Sequence, residues 1–410
     1  MCDADAVEHV GVAVVGGGQA GLAVSTELSS RGIEHVVLER GRVGQTWRDR
    51  WDSFCLVTPN WTVQLPGFAY DGPDPDGYMA RDEIVAYLER YAATGSLPVR
   101  EGVDVRSISA YDGGFTLGTS ADDLRADAVV IASGAYQRPH RPEAAASLPP
   151  DLLQLDVDGY RSEDALPPGP VLVVGSGQSG CQIAEELHEA GREVVLACGK
   201  APWWPRRIAG RDLLWWALET GFLDQTVESL PAPTVRLAAN ILATGHGGGH
   251  DLHLRTLEAA GVTLTGRLLG AVDQEARFAP DLAESVAWGD ERHGQFSGLV
   301  RGLAAERGID LGDLAEPEPF EGGGAERVDL RGFGAAIFTS GFRPDYAGWL
   351  PWQGAFDELG YPIHADGEST VQPGIYFVGV HFLRKRKSSL LVGVGEDAAI
   401  VAGRIAARAE

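Results

Sequence analysis

The chain has 410 residues, 44% of them hydrophobic, and its 34 Lys and Arg against 58 Asp and Glu give a formal charge of −24 at pH 7. That length can bury two cores. The acidic excess opposes any sequence-independent hold on nucleic acid or an anionic membrane, so neither is an expected partner.

Chain order begins with an acidic leader, Cys2-Asp3-Ala4-Asp5, and then the apolar stretch from Val10 to Val24, which glycines interrupt. It reads neither as a signal sequence nor as a membrane span, and no other stretch is long enough to cross a bilayer; the expected location is cytoplasmic. The β-branched run Val10 to Val15 predicts a buried parallel strand, followed by Gly16-Gly17-Gly18-Gln19-Ala20-Gly21 and an amphipathic helix. The first glycine allows a tight turn, the second lets the backbone approach a pyrophosphate, and the third lets helix and strand pack closely. A second strand, His35 to Leu38, ends in Glu39, with Arg40 beside it. A carboxylate there can accept from both hydroxyls of a free ribose, as in FAD or NAD.

A helix is predicted from Asp82 to Ala93, and a strand from Ala128 to Ala132 that ends in Ser133-Gly134. The stretch from Asp156 to Gly169 reads as a crossing linker. From Pro170 the first pattern repeats: strand Val171 to Val174, then Gly175-Ser176-Gly177-Gln178-Ser179-Gly180, then a helix. Its second strand, Glu193 to Leu196, runs into Ala197-Cys198-Gly199-Lys200 with no acid at the end. A missing carboxylate and a nearby cation suit a 2′-phosphate and hence NADPH; Arg206, Arg207 and Arg211 are further cations, each equally readable as a solvated surface arginine. Two turns of this kind in strand-turn-helix context point to two dinucleotides, FAD and NADPH. A third small-Gly strand end, Ala335 to Gly341, is read as the return of the chain to the first domain. The expected fold is α/β with two Rossmann-like dinucleotide-binding domains, the NADPH domain (163–324) inserted between two pieces of the FAD domain (1–162 and 325–410).

Cys2, Cys55, Cys181 and Cys198 are isolated, which removes a Cys-x-x-Cys disulfide reductase and suggests core packing for Cys181. The chain resembles the class B flavoprotein monooxygenases, the group of flavin-containing and Baeyer–Villiger monooxygenases, and is most similar to the bacterial CzcO-like flavoproteins. The residues that carry the resemblance are the doubled glycine motifs, Gly44-Gln45-Thr46-Trp47, Arg50-Trp51-Asp52-Ser53, Thr58-Pro59-Asn60, Leu65-Pro66-Gly67, and the strand ends Ser133-Gly134 and Ser340-Gly341. The resemblance implies that Gln45, Thr46 and Trp47 line FAD, that Asn60 stands beside the flavin ring, and that Gly395 and Glu396 open a helix whose N-terminus faces the flavin. Read alone, Asn60 is a turn residue after Pro59.

The resemblance implies an FAD- and NADPH-dependent monooxygenase that forms a flavin C4a-(hydro)peroxide and oxygenates a small molecule at nitrogen, sulfur or a ketone carbon, with O₂ and that substrate as partners and a homodimer as the envisaged assembly. The alternatives are an NADPH oxidase releasing hydrogen peroxide and a nucleotide-sensing flavoprotein. One departure bears on the choice. Where the family branch has His-Ser-x-x-Tyr, this chain reads Asp156-Val157-Asp158-Gly159-Tyr160, so Tyr160 matches while the histidine is Asp156. Asp156, Tyr160 and Asn60 are the catalytic candidates. The run His246 to His253 is read as a loop, with no metal expected. Trp203, Trp204, Trp215 and Trp216 read as packing or a pocket wall, and Arg384 to Lys387 as a solvated loop or an anion contact.

Overall fold

The structure, a computed structural model, describes residues 7–409. In chain order its principal elements are β1 (Glu8–Val15), α1 (Gln19–Ser30), β2 (His35–Glu39), α2 (Arg81–Thr94), β3 (Val99–Glu101), β4 (Leu124–Ile131), β5 (Arg138–Pro139), β6 (Leu153–Asp156), β7 (Val171–Val174), α3 (Gln178–Glu189), β8 (Val194–Ala197), β9 (Thr263–Thr265), α4 (Leu282–Arg307), β10 (Ala335–Phe338), β11 (Phe342–Arg343), β12 (Ile375–Phe377) and α5 (Val394–Ala409). The helix predicted from Asp82 is α2, which buries Ile84, Val85, Tyr87, Leu88 and Tyr91 on one face.

Two parallel sheets organise the chain. The first has the order β12-β4-β1-β2-β3, extended by short antiparallel strands, and the second has the order β6-β10-β7-β8-β9. In each, the strand that leads into a glycine turn is central. Such strands are covered on both faces, so they read as continuous apolar runs; Val171, Leu172 and Val173 are fully buried, as are Ala13 and Val14.

The pairing corrects the domain boundaries expected from sequence. Strands β6 and β10 do not belong to the first domain: β10 pairs in parallel with β7 on one side and β6 on the other. The physical reason is that β7 needs a neighbour on each edge. Strand β10 is small and apolar on both faces, with Ala335 and Ile337 packed into one core and Ala336 and Phe338 into another. The chain instead crosses between units at β5 and returns at β11, and these two segments pair antiparallel, Pro139 opposite Phe342 and Arg138 opposite Arg343.

The units are tied together by polar contacts. Tyr160 is fully buried and its hydroxyl donates to Glu186 at 2.9 Å, on α3, where the Ser53 hydroxyl of the first unit also donates at 2.5 Å. Burial raises the Glu186 carboxyl above its usual range. Arg206, from the second unit, donates to the Val57 carbonyl at 2.8 Å and the Tyr78 hydroxyl at 2.9 Å in the first, and pairs with Asp212 at 2.5 Å. The basic run 384–387 is a third tie. Lys385 and Lys387 both bridge Asp224 and Glu396, and the Arg386 guanidinium lies over Phe222 at 4.3 Å and Phe382 at 4.7 Å.

The turns set different tolerances for added bulk. A Cβ at Gly180 would lie 1.9 Å from the Gly175 carbonyl oxygen, whereas one at Gly18 meets nothing within 4 Å. We expect Gly180→Ala to cost more than about 2 kcal/mol by chemical denaturation, because backbone must move, and Gly18→Ala to leave stability within about 0.5 kcal/mol of wild type.

Candidate functional site

The two glycine turns superpose in their conformational detail. Gly16 and Gly175 both have φ of +111°, a left-handed value that favours glycine. Gly21 and Gly180 each face a carbonyl, of Gly16 and Gly175, at 1.9 Å from the place a Cβ would occupy. The N-cap residues Gly18 and Gly177 share an extended conformation, and neither α1 nor α3 has a side-chain cap or an acidic residue in its first turn. Helix starts leave several N–H groups without partners. Here no side chain takes them, and the space before Gly18 is open. That combination fits a pyrophosphate at each turn.

In both copies the strand after the turn's neighbour also ends against the first glycine. Ala132 donates its N–H to the Val15 carbonyl at 2.9 Å, and Thr339 donates to Val174 at the same distance. Ser133-Gly134 and Ser340-Gly341 thus take equivalent places beside the two turns, and the Thr339 and Ser340 hydroxyls donate to Gly175 at 2.7 Å and Val174 at 3.1 Å.

The glutamine side chains bond neighbouring loops and side chains. Gln19 accepts from Trp47 Nε1 at 3.0 Å and donates to the Ser389 carbonyl at 3.2 Å. Gln178 clasps the Ala243 backbone from both ends of its amide, accepting the N–H at 3.0 Å and donating to the carbonyl. Each therefore anchors the loop that covers its turn. Gln45 is spent locally, on Arg42 N–H and Asp49, while Thr46 and Arg40 are exposed.

The ribose end distinguishes the copies. Glu39 is 6% exposed and accepts the Gly17 N–H at 2.6 Å and the Gly41 N–H at 2.8 Å. Each oxygen keeps a second lone pair. In the second copy no carboxylate ends β8; the Ser176 hydroxyl ties the turn to Gly199, accepting its N–H at 2.9 Å and donating to its carbonyl at 3.0 Å. Lys200 pairs with Glu284 at 2.9 Å, both half-exposed or more. A pair of that kind is worth about 0 to 1 kcal/mol and yields readily to a phosphate. Of the sequence-predicted arginines, Arg207 is exposed, Arg211 lies over Trp215 at 4.1 Å, and Arg206 is buried in its own ion pair and is removed as a phosphate contact.

The last segment returns over the first turn. A Cβ at Gly379 would lie 2.4 Å from that of Ala20, and two residues on, His381 is buried with Nδ1 unpartnered. Burial holds its imidazole down at about 4, so it is neutral. Its place was missed from sequence; the only signal was a glycine closing an apolar strand. The start of α5, by contrast, carries Glu396 and Asp397, the first held by Lys385 and Lys387 and the second by Arg384 at 3.1 Å. Two carboxylates offset the positive helix end expected to face the flavin.

The three catalytic candidates are not brought together by any shared contact. Asn60 is 4% exposed, donates to the Asp74 carbonyl at 2.9 Å and accepts the Met79 N–H at 2.8 Å, so its amide secures the 74–79 loop. Asp156 makes a two-pronged pair with Arg141 at 2.6 and 3.0 Å, and Tyr160 is committed to Glu186. The histidine loop spreads rather than converges: His246 pairs with Glu189, His250 with Glu185, and His253 caps a short helix. The tryptophans pack, with Trp204 stacked on Phe296 and Trp216 donating to Ile208. Cys55, Cys181 and Cys198 are free thiols, and Cys2 lies outside the described residues. Among the described residues no helix is long and apolar enough to cross a membrane.

Residues 13–209 match the family model described as pyridine nucleotide-disulphide oxidoreductase. The chain is 31% identical over 391 residues to an uncharacterized CzcO-like oxidoreductase of Geobacillus kaustophilus, covering 95% of this chain and 96% of that protein. Among solved structures, a flavin-containing monooxygenase from Stenotrophomonas maltophilia aligns with a TM-score of 0.69 at 20% identity, over 98% of this chain and all of that one. OTEMO in complex with FAD and NADP aligns with a TM-score of 0.58 at 15% identity, over 98% of this chain and 86% of that one. These last two likenesses concern the fold. The full-length relative places the chain: it belongs to the CzcO-like oxidoreductases.

Proposed function

We propose that the protein holds FAD at the first turn and NADPH at the second, and uses them to transfer one oxygen atom of O₂ to a small molecule at nitrogen, sulfur or a ketone carbon. The observation that carries this reading is the pair of uncapped glycine-turn helices in one chain, with a buried carboxylate at the ribose end of one and none at the other. When bound, the flavin takes a hydride from the nicotinamide and passes electrons to O₂. The chain's own residues hold and orient. The free N–H groups of α1 and α3 take the two pyrophosphates, Glu39 takes the ribose hydroxyls, and Lys200 exchanges Glu284 for the 2′-phosphate. Trp47, fixed by Gln19, walls the first site, and the loop fixed by Gln178 walls the second, which limits access of water to both.

A second reading, release of hydrogen peroxide without substrate oxygenation, is favoured by one observation. Asp156 is spent on Arg141 and Tyr160 on Glu186, so neither offers a proton donor to reduced oxygen. Peroxide formed per NADPH consumed separates the two: a value near one without substrate that stays near one across amines, sulfides and ketones selects the oxidase.

Because Gly18 is extended and faces open space, Gly18→Val should fold normally and fill the pyrophosphate site. The expected purified variant is colourless and monomodal in thermal melting; full flavin absorbance would reject the first site. For the second, losing a charge-assisted phosphate contact of about 1.5 to 3 kcal/mol should cost roughly tenfold or more in discrimination. Flavin reduction rates with NADPH and NADH should show a wild-type preference for NADPH that shrinks in Lys200→Ala. An unchanged preference would move the contact to Arg207, and equal rates in wild type would remove the assignment.

A further inference from the structure

The ribbon formed by β5 and β11 has two unlike faces. Directly opposed residues of an antiparallel pair project from the same face, and successive residues from opposite faces. Pro139 stands opposite Phe342, and Phe342 packs against the core of the second unit. The other face carries Arg138 opposite Arg343. Like charges directly opposite one another destabilise a strand pair, and each strand here is only two residues long, so no further pairs offset the repulsion. Neither guanidinium is compensated among the described residues. Arg138 makes no side-chain hydrogen bond or ion pair, and Arg343 donates only to the adjacent Phe342 carbonyl, at 2.9 Å.

Both arginines line one cavity of about 670 Å³, within the range of roughly 300 to 1,000 Å³ typical of small-molecule sites. Most of the remaining wall comes from residues 344–360 of the first unit, including Trp352 and Phe356. Those two rings are fixed from behind: Trp352 meets Phe115 edge-on at 6.0 Å, and Phe356 stacks on Tyr346 at 5.6 Å. Three carboxylates also line the cavity, and among the described residues none is within ion-pair distance of either arginine. Asp357 is spent elsewhere, paired with Arg236 and accepting the Leu359 and Tyr361 N–H groups, each at 2.9 Å. Asp345 and Glu358 are exposed. His140 lines the same space; burial, and after it the charges of Arg343 and Arg138, hold its imidazole below its usual range, so it adds a neutral donor and acceptor rather than a third charge. No residue of either glycine turn lines this cavity.

We propose that this cavity is a ligand site separate from the two nucleotide turns, in which Arg138 and Arg343 together hold the phosphate of a small phosphate monoester with a flat apolar body. Each guanidinium fork matches two oxygens of such a group, and a charge approaching −2 at pH 7 offsets both cations where a single carboxylate would leave one uncompensated. Trp352 and Phe356 offer aromatic surface to the body. The exposed Asp345 and Glu358 oppose the anion only weakly, because water and salt screen charges that are not in contact. The bound phosphate would bridge the outward and return crossings of the chain, turning the repulsion across the ribbon into a shared attraction.

The test is calorimetric titration of purified holoenzyme, at low ionic strength, with phenyl phosphate, phenol and inorganic phosphate, in wild type, Arg138→Gln, Arg343→Gln and Lys200→Ala. The phenyl phosphate titration is repeated in saturating NADP⁺. We expect phenyl phosphate to bind wild type at least tenfold more tightly than phenol or inorganic phosphate, each arginine variant to lose tenfold or more of that affinity, and Lys200→Ala and the NADP⁺-saturated enzyme to bind as wild type does. Without ligand, Arg138→Gln should melt no lower than wild type, because it removes the repulsion, and phenyl phosphate should no longer raise its melting temperature. Phenol binding as tightly as phenyl phosphate overturns the proposal, as does affinity retained in both arginine variants. Inorganic phosphate binding equally tightly overturns it by giving the site to the bare ion. Loss of binding in Lys200→Ala or in NADP⁺ overturns it by placing the phosphate at the second turn. If Arg343→Gln does not fold, Arg138→Gln decides alone, and unchanged affinity or a markedly lower ligand-free melting temperature in that variant overturns the proposal.

Discussion

The contact on which the architecture turns is an absence of atoms. At Gly21 and again at Gly180, the helix lies so close to the preceding turn that the glycine faces a backbone carbonyl with no room for a methyl group. This closeness aims the free N–H groups of α1 and α3 at the open ends of the central strands, where ligands of open α/β sheets bind. It also fixes the strands around them. Ala132 and Thr339 close against the first glycine of each turn, so the order of each sheet follows from the same packing demand. Because the demand is met twice, the chain contains two copies of one geometry and differs between them chiefly at the ribose end, where Glu39 stands in one and Ser176 with Gly199 in the other.

That repeated geometry was legible in the sequence because glycine spacing and β-branched runs encode it locally. What was not legible is anything that depends on which copy a segment joins. The strand Ala335–Phe338 ends in Thr-Ser-Gly, and a small residue before glycine fits either turn equally; only the pairing with β7 assigns it. The same limit applies to Arg206 and Arg207. They are adjacent in sequence and alike in chemistry, but one is buried with Asp212 and the other is exposed. At Asn60 the flanking motif marks the loop, and the amide also shapes it, bonding the Asp74 carbonyl and the Met79 N–H. Gln19 and Gln178 add a contact that their place in the motif does not announce: their amides hold neighbouring loops.

The ties between the units share a design. Each places a charge or hydroxyl of one unit against a polar group of the other: Ser53 on Glu186, Arg206 on the Val57 carbonyl, Lys385 and Lys387 on Asp224. Breaking one partner of such a set costs more than the set itself contributes, because the remaining group is stranded. The units are thereby held in register by the penalty for separating them.

The pairing of β5 with β11 carries one more implication. Both crossings of the chain run side by side as a single ribbon, so in topological terms the whole second unit, roughly two hundred residues, occupies the loop of a β-hairpin. Closing a loop costs only about 0.6 kcal/mol more for each doubling of its length, and a ribbon whose register is already set by its own pairing accepts an insert without disturbing its host. The second unit therefore leaves and rejoins the first at one place, with its two ends held side by side by the pairing.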